Sequence, residues 1–250
     1  MEIETSVADG VLELTLNRPA KKNALTEAMY QALIDGLLRA ETDEAIGAVL
    51  IRGEGGVFSA GNDIGDFIAA VRKGHGLAAA DFVRRLAGFS KPLVAAVDGL
   101  AVGVGCTLLL HCDLIYASPE ARFSLPFVDL GLPPEAGSSL LLPRRVGRAR
   151  ASAWLLLAEP FDAQEAKEAG LVNAVIAADE LLGVAREKAR KLAAKPRAAL
   201  LEARRLLRGD AAEIAAHMEE EFRAFMTALH SPHTQAVFAA FLAKSKQESP

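Results

Sequence analysis

The stretch "LGLPPEAGSS" (residues 130–139) strands one glutamate, Glu135, among prolines and small residues. A carboxylate isolated in this way can take up and return a proton as a general acid–base, or sit as an acid in the first turn of a following helix and interact with its dipole. Two other stretches carry small residues that let main-chain N–H groups come close to a ligand. "FSAGNDI" (58–64) sets Gly61 between Ala60 and Asn62, and "GLAVGVGCTLLL" (99–110) passes from a turn through Gly103 and Gly105 into a helix. Glycines there remove side chains where the first helical N–H groups are unsatisfied, and such an end attracts negative charge. The plainer reading is a pair of tight connections, with Asp63 an ordinary helix cap. A dinucleotide fingerprint is a poor match, because Leu108 stands where the third glycine would be.

Other chemistry-bearing residues carry less. His111, Cys112 and Asp113 are consecutive, so on a helix they point in different directions and do not converge on one metal; no metal site is expected. Neither G-x-S-x-G nor a framed Ser/His pair is present, which leaves no nucleophilic triad. Asp129 reads as a turn or salt-bridge residue, His230 and His233 as surface or capping residues, and Trp154 as core.

These residues need elements to position them. "VLELTL" (11–16) alternates as a half-buried strand does. Thr26 can cap a helix with Met29, Leu33, Leu37 and Ala40 on one face. "AVLIRG" (48–53) reads as a buried strand, 64–72 as a loose helix and 74–76 as a mobile glycine-rich interval. A strand and turn at 91–99, a helix from 102, the strand-like "DLIYAS" (113–118) and a short strand in "RFSLPF" (122–127) follow. This alternation predicts an α/β architecture. From about residue 179 the pattern is all helix: Asp179 is expected to cap the first, and three more follow to residue 246. Their apolar stripes need a partner surface, either the α/β body or a neighbouring subunit.

The 250 residues are 51% hydrophobic and 24% charged, values of a soluble globular protein, and long enough for a sizeable core. A net charge of −4 gives no global field for nucleic acid or an anionic membrane. The two cysteines, close together in an apolar segment, make no disulfide framework, so a cytoplasmic location is expected. The N-terminus lacks a signal-like apolar region, and the longest apolar region, 93–117, is interrupted by Asp98, His111 and Asp113. It reads as buried core rather than a membrane span.

Five stretches then occur in one order: "LNRPAKKNAL" (16–25), "FSAGNDI", "KPLVAAVDGLAVGVGCTLLLHCDLIYAS" (91–118), "RFSLPFVDLGLPPEAGSSLLLPRRVG" (122–147) and "FLAKSK" (241–246). Over nearly its whole length the chain resembles the crotonase superfamily, the enoyl-CoA hydratase/isomerase family. The resemblance implies a spiral of ββα units over residues 1–195, then a helical region, 196–250, that joins subunits as a homotrimer or dimer of trimers. It implies an acyl-CoA substrate, with coenzyme A part of that substrate and no separate cofactor. It also implies an oxyanion hole from the backbone N–H groups of Asn62 and Val104. Lys21, Lys22, Lys244 and Lys246 become partners for the CoA phosphates, although solvated surface lysines are the plainer reading. Ala24, Ala60, Gly61, Asp63, Ile64, Gly103, Phe127 and Pro134 are the remaining expected substrate contacts.

The carboxylates separate the reactions. Family members that hydrate 2-enoyl-CoA use two glutamates, at positions where this chain has Thr107 and Phe127, and neither can act as a base near neutral pH. "SAGND" and "PEAGSS" are similar to the peroxisomal-type Δ3,Δ2-enoyl-CoA isomerase branch, in which one base suffices. That points to Glu135 moving a proton from C2 to C4 of a 3-enoyl-CoA. Ser138 and Ser139 either hydrogen-bond it or cap the next helix. The alternatives are a hydratase using a non-standard carboxylate and a catalytically silent acyl-CoA-binding scaffold.

Overall fold

Runs of valine, isoleucine and leucine bounded by glycine, asparagine or proline make the strands, and the chain lays them down in a repeating order. In the computed structural model, which describes residues 1–73 and 77–247, β1 (Ile3–Ala8) and β2 (Val11–Leu16) form an antiparallel hairpin. The interval 74–76, expected to be mobile, lies outside the described residues. Helix α1 (Glu27–Thr42), capped by Thr26, leads to β3 (Ala48–Gly53), parallel to β2. Helices α2 (Ile64–Lys73) and α3 (Ala78–Gly88) precede β4 (Leu93–Val97), and a turn carries the chain into β5 (Leu100–Val102) of a second sheet.

The step then recurs. The one-turn helix α4 (Val104–Thr107) is followed by β6 (Leu114–Ala117) in the first sheet and β7 (Arg122–Ser124) in the second. Helices α5 (Ser138–Val146) and α6 (Arg148–Leu156) lead to β8 (Phe161–Asp162), α7 (Ala163–Glu168) and β9 (Ala174–Val175). The large sheet runs β1-β2-β3-β4-β6-β9, parallel beyond the first pair, and the small one β5-β7-β8. Successive circuits add a strand to each sheet and a helix outside, which is the expected ββα spiral. Trp154 stacks on Phe161 inside it, as core.

Strand β2 departs from the half-buried expectation, since every one of its residues is buried. Leu12, Leu14 and Leu16 join the core containing α1, while Val11, Leu50 and Val94 pack on α8 (Ala178–Ala193) through Leu181, Ala185 and Ala189. Parallel strands covered on both faces have no solvent side. Glu13 is tolerated there because Arg52 and Arg186 reach its carboxylate at 2.6 and 2.8 Å. Burial opposes its charge, but the hydrogen bonds from Arg186 and Arg52 outweigh burial and hold it below the usual carboxylate range.

The cap of α8 is Ala177, and Asp179 lies within the first turn, where its charge still suits the helix dipole. Helices α9 (Arg197–Arg208), α10 (Ala211–Leu229) and α11 (Pro232–Gln247) complete the chain. Buried Arg204 fastens α9 to the body, donating to Asp113 and to the Phe89 carbonyl, while Leu206 and Leu207 on the same helix are exposed. Helix α10 packs on α3 and α5, and α11 on α2. Among the described residues, no helix is long and apolar enough to cross a membrane.

Candidate active site

The first arm of the site is built by pairing two loops. Asn23, fully buried at φ 53°, donates through its amide to the carbonyls of Glu54 and Val57 and accepts from the Arg18 amide. That fixes residues 22–25 against 60–63, where Ala60, Leu25 and Asp63 bond to Lys22, Gly61 and Leu25 carbonyls. Asp63 is structural: its carboxylate takes the Arg18 guanidinium at 2.9 Å and the amide of Asp66, capping α2. On the other side, Ser59 exchanges backbone bonds with Leu100 and Val102 of β5. Gly61, at φ +86°, therefore lies so close to the Val102 carbonyl that a Cβ would sit 2.7 Å from its oxygen.

Gly103 forms the second arm with φ 54° and ψ −122°, a region open in practice to glycine alone. It turns the chain from β5 into α4, so that Val104 becomes the first helical residue. Among the described residues the backbone N–H groups of Asn62, Val104 and Gly105 have no hydrogen-bond partner, while those of Gly61, Asp63, Gly103 and Cys106 have one. Unpaired amides of this kind are the donors that can meet a developing oxyanion. The Asn62 side chain is turned aside, its Oδ1 accepting from the buried Tyr30 hydroxyl at 2.5 Å.

Glu135 follows Pro133-Pro134 and precedes two residues at positive φ, Ala136 and Gly137. Thr107, at the end of α4, donates its hydroxyl to Glu135 Oε1 at 2.5 Å. Burial raises the Glu135 carboxyl to about 7, the Thr107 hydrogen bond lowers it, and the nearby negative charge of Glu221 adds to the rise. Tyr30 lies close enough to feel that carboxylate; burial first, then the Glu135 charge, lifts its phenol well above the ordinary value.

A carboxyl raised on folding from 4.5 to about 7 contributes stability that is fully present below 4.5 and lost as pH rises through 7. Its magnitude is roughly 3 kcal/mol. Glu135→Gln is therefore expected to gain thermal stability over the parent as pH climbs from 5 to 8. Melting curves at those two pH values check it, and a constant difference would contradict it.

Two cavities meet at this point. An apolar chamber, partly open to solvent, lies against α3 and α10, walled by Leu77, Val83, Met218, Phe222 and Phe225, with Asn62 and Glu135 on its surface. Arg84 and Glu219 also line it and pair across from α3 to α10 at 2.7 Å. A larger cleft of about 1600 Å³, open to solvent, shares Asn62, Phe67 and Phe225 with the chamber. Into it face Ala24, Ala60, Gly61, Asp63 and Ile64 of the first arm, Gly103, Val104 and Phe127 of the second, and exposed Lys21 and Lys22. Pro134 lines neither cavity. The side chains of Lys244 and Lys246 lie outside the described residues.

Sequence reasoning missed the supports. His111 is buried and held neutral, its ionisation pushed down to about 4 by burial, and its Nε2–H donates to the Ala136 carbonyl at 2.8 Å. Glu221 is buried where α10 shows its apolar stripe, Ile214, Met218, Phe225 and Leu229. An acid on that stripe is a signal readable from the sequence. Ser139 does not bond Glu135: its N–H and hydroxyl go to Glu221, and Gly137 occupies the cap of α5.

A family model described as enoyl-CoA hydratase/isomerase matches residues 6–248. The chain is 38% identical to the 2,3-dehydroadipyl-CoA hydratase of Escherichia coli (strain K12), covering 97% of this chain and 96% of that one. It is 42% identical to enoyl-CoA delta isomerase 2 of Rattus norvegicus over 66% of this chain and 44% of that one. The crystal structure of an enoyl-CoA hydratase/isomerase from Pseudoalteromonas atlantica T6c superposes with a TM-score of 0.93 at 41% identity, covering 98% of each chain.

Proposed function

The chain belongs to the enoyl-CoA hydratase/isomerase family, whose members act on acyl-CoA thioesters, and on that premise we propose that it shifts the double bond of a 3-enoyl-CoA to the 2-trans position. The CoA portion lies in the open cleft, with Lys21 and Lys22 serving its phosphates, and the acyl chain enters the apolar chamber. The thioester carbonyl sits where the cavities meet, its oxygen facing the amides of Asn62 and Val104. Glu135 removes a proton from C2, the C3–C4 π pair moves to C2–C3 through a dienolate, and the same carboxyl returns the proton to C4. No atom is gained or lost. The amides stabilise the charge on the thioester oxygen between the two transfers.

One observation carries this reading: among the described residues, Glu135 is the carboxylate on the chamber wall that no cation engages. Glu219, the other carboxylate lining it, is paired with Arg84. Adding water calls for a second acid–base group, and Thr107 and Phe127 stand where such groups would be. A panel of 2-enoyl and 3-enoyl thioesters tests it. Double-bond migration in the 3-enoyl compounds is expected, hydration of 2-enoyl compounds at a comparable rate would favour a hydratase, and tight binding without turnover a scaffold.

Because the base must be ionised, kcat/KM is expected to fall tenfold per pH unit below about 7 and to level off above it, following Glu135. A pH–rate profile flat down to pH 5 would exclude this carboxyl as the base. Exposed Leu156, Leu157, Leu206 and Leu207 support self-association, and the homotrimer or dimer of trimers is what the family resemblance implies.

A further inference from the structure

The loop bearing Glu135 is gripped by groups from two distant parts of the chain. Ala136 and Gly137 lie at φ 58° and 73°, a succession that persists only when the surroundings hold it. From one side, His111 donates to the Ala136 carbonyl. From the other, buried Glu221 of α10 accepts from the amide of Gly137 at 2.6 Å, the amide of Ser139 at 2.9 Å and the hydroxyl of Ser139 at 2.5 Å. His217, one turn earlier on α10, meets the same hydroxyl at 2.8 Å and lies 3.7 Å from the Glu221 carboxylate. Helix α5 has no capping side chain of its own, so a carboxylate from another helix satisfies amides of its opening turn.

These bonds begin two residues after Glu135. If they are lost, the left-handed pair can relax, and the carboxyl leaves its place beside Thr107. We propose that Glu221 is a positioning residue for proton transfer, fixing the Glu135 loop through the Gly137 and Ser139 amides without itself touching the substrate. This rests on Glu135 being the base. Glutamine in place of Glu221 keeps the volume but turns one acceptor into an NH2 group facing a donor, which forces the loop to move. It also removes a negative charge near Glu135. Among the described residues, the other charged or titratable groups near that carboxyl and its loop include Tyr30 from α1, Arg84 from α3, His111 beyond α4, and His217 and Glu219 from α10, and the substitution changes none of them.

The test compares the parent, Glu221→Gln, Glu221→Asp and Glu135→Gln on a 3-enoyl-CoA thioester, reading kcat, KM, the pH profile and the melting temperature. Misplacing a reacting group by about 1 Å costs up to roughly 100-fold. Glu221→Gln is thus expected to lose 10- to 100-fold in kcat with KM held within about threefold, and its acid limb should move to lower pH. A folded variant with parental kcat and an unmoved limb, or a lower melting temperature alone, overturns the proposal. Should Glu221→Gln fail to fold, Glu221→Asp decides: it keeps the charge but draws the carboxylate back by one methylene from the Gly137 and Ser139 amides, so a several-fold fall in kcat at constant KM supports positioning and a parental kcat refutes it. Full activity in Glu135→Gln would overturn the base assignment and this inference together. An inactive Glu135→Gln beside an unimpaired Glu221→Gln would overturn this inference alone.

Discussion

Glu135→Gln is expected to lower turnover of a 3-enoyl-CoA by roughly 100- to 10,000-fold, the range for removing a positioned acid–base group. The substitution is close to isosteric, and the Thr107 hydroxyl can still donate to the amide oxygen, so the loop and the chamber keep their shape. What is lost is the lone pair of suitable basicity. Glutamine cannot hold the proton between C2 and C4. The open cleft is lined by other residues, so a saturated acyl-CoA should bind the variant within a few-fold of the parent by calorimetry. Isomerisation persisting at the parental rate would remove Glu135 from the mechanism. Weakened binding with unchanged kcat would make it a contact rather than a base.

The second large effect is expected at Gly61→Ala. The new methyl would meet the Val102 carbonyl oxygen at 2.7 Å, and φ +86° is closed to alanine without strain. Both facts act on the peptide that carries the Asn62 amide. Backbone bonds between Ser59 and β5 tie the two arms together, so the clash is relieved by swinging that amide away rather than by parting the arms. Losing one oxyanion donor costs about 100- to 1000-fold, and kcat/KM should fall by that factor. A parental kcat/KM, with a melt showing the folded protein, would mean that the Asn62 amide faces no developing charge.

Much of this was readable in the sequence for a definite reason. The strands at 11–16, 48–53 and 93–97, helix α1 and both glycine-led arms are local patterns, set by residues within a few positions of each other. Their order in the chain also carried the family resemblance. What local patterns cannot carry are bonds between remote segments. Tyr30 to Asn62 spans 32 positions, Thr107 to Glu135 spans 28, and Glu221 to Gly137 spans 84. Thr107 was legible as a missing carboxylate, but its donation to Glu135 needed the fold. Glu13 misled in the same way, since a polar residue in an alternating strand signals solvent until a second helix with Arg186 covers it. Ala177 shows the limit at element ends, where a backbone geometry can open α8 without the expected side chain.

The buried carboxyl beside Thr107 has one more consequence, for anyone engineering this chain. Above neutral pH the folded molecule is strained by the very ion it uses, so a heat-tolerance screen that ignored turnover would enrich replacements at position 135 early. The survivors would be sturdy and inert, and robustness in such a library would be a warning of lost chemistry.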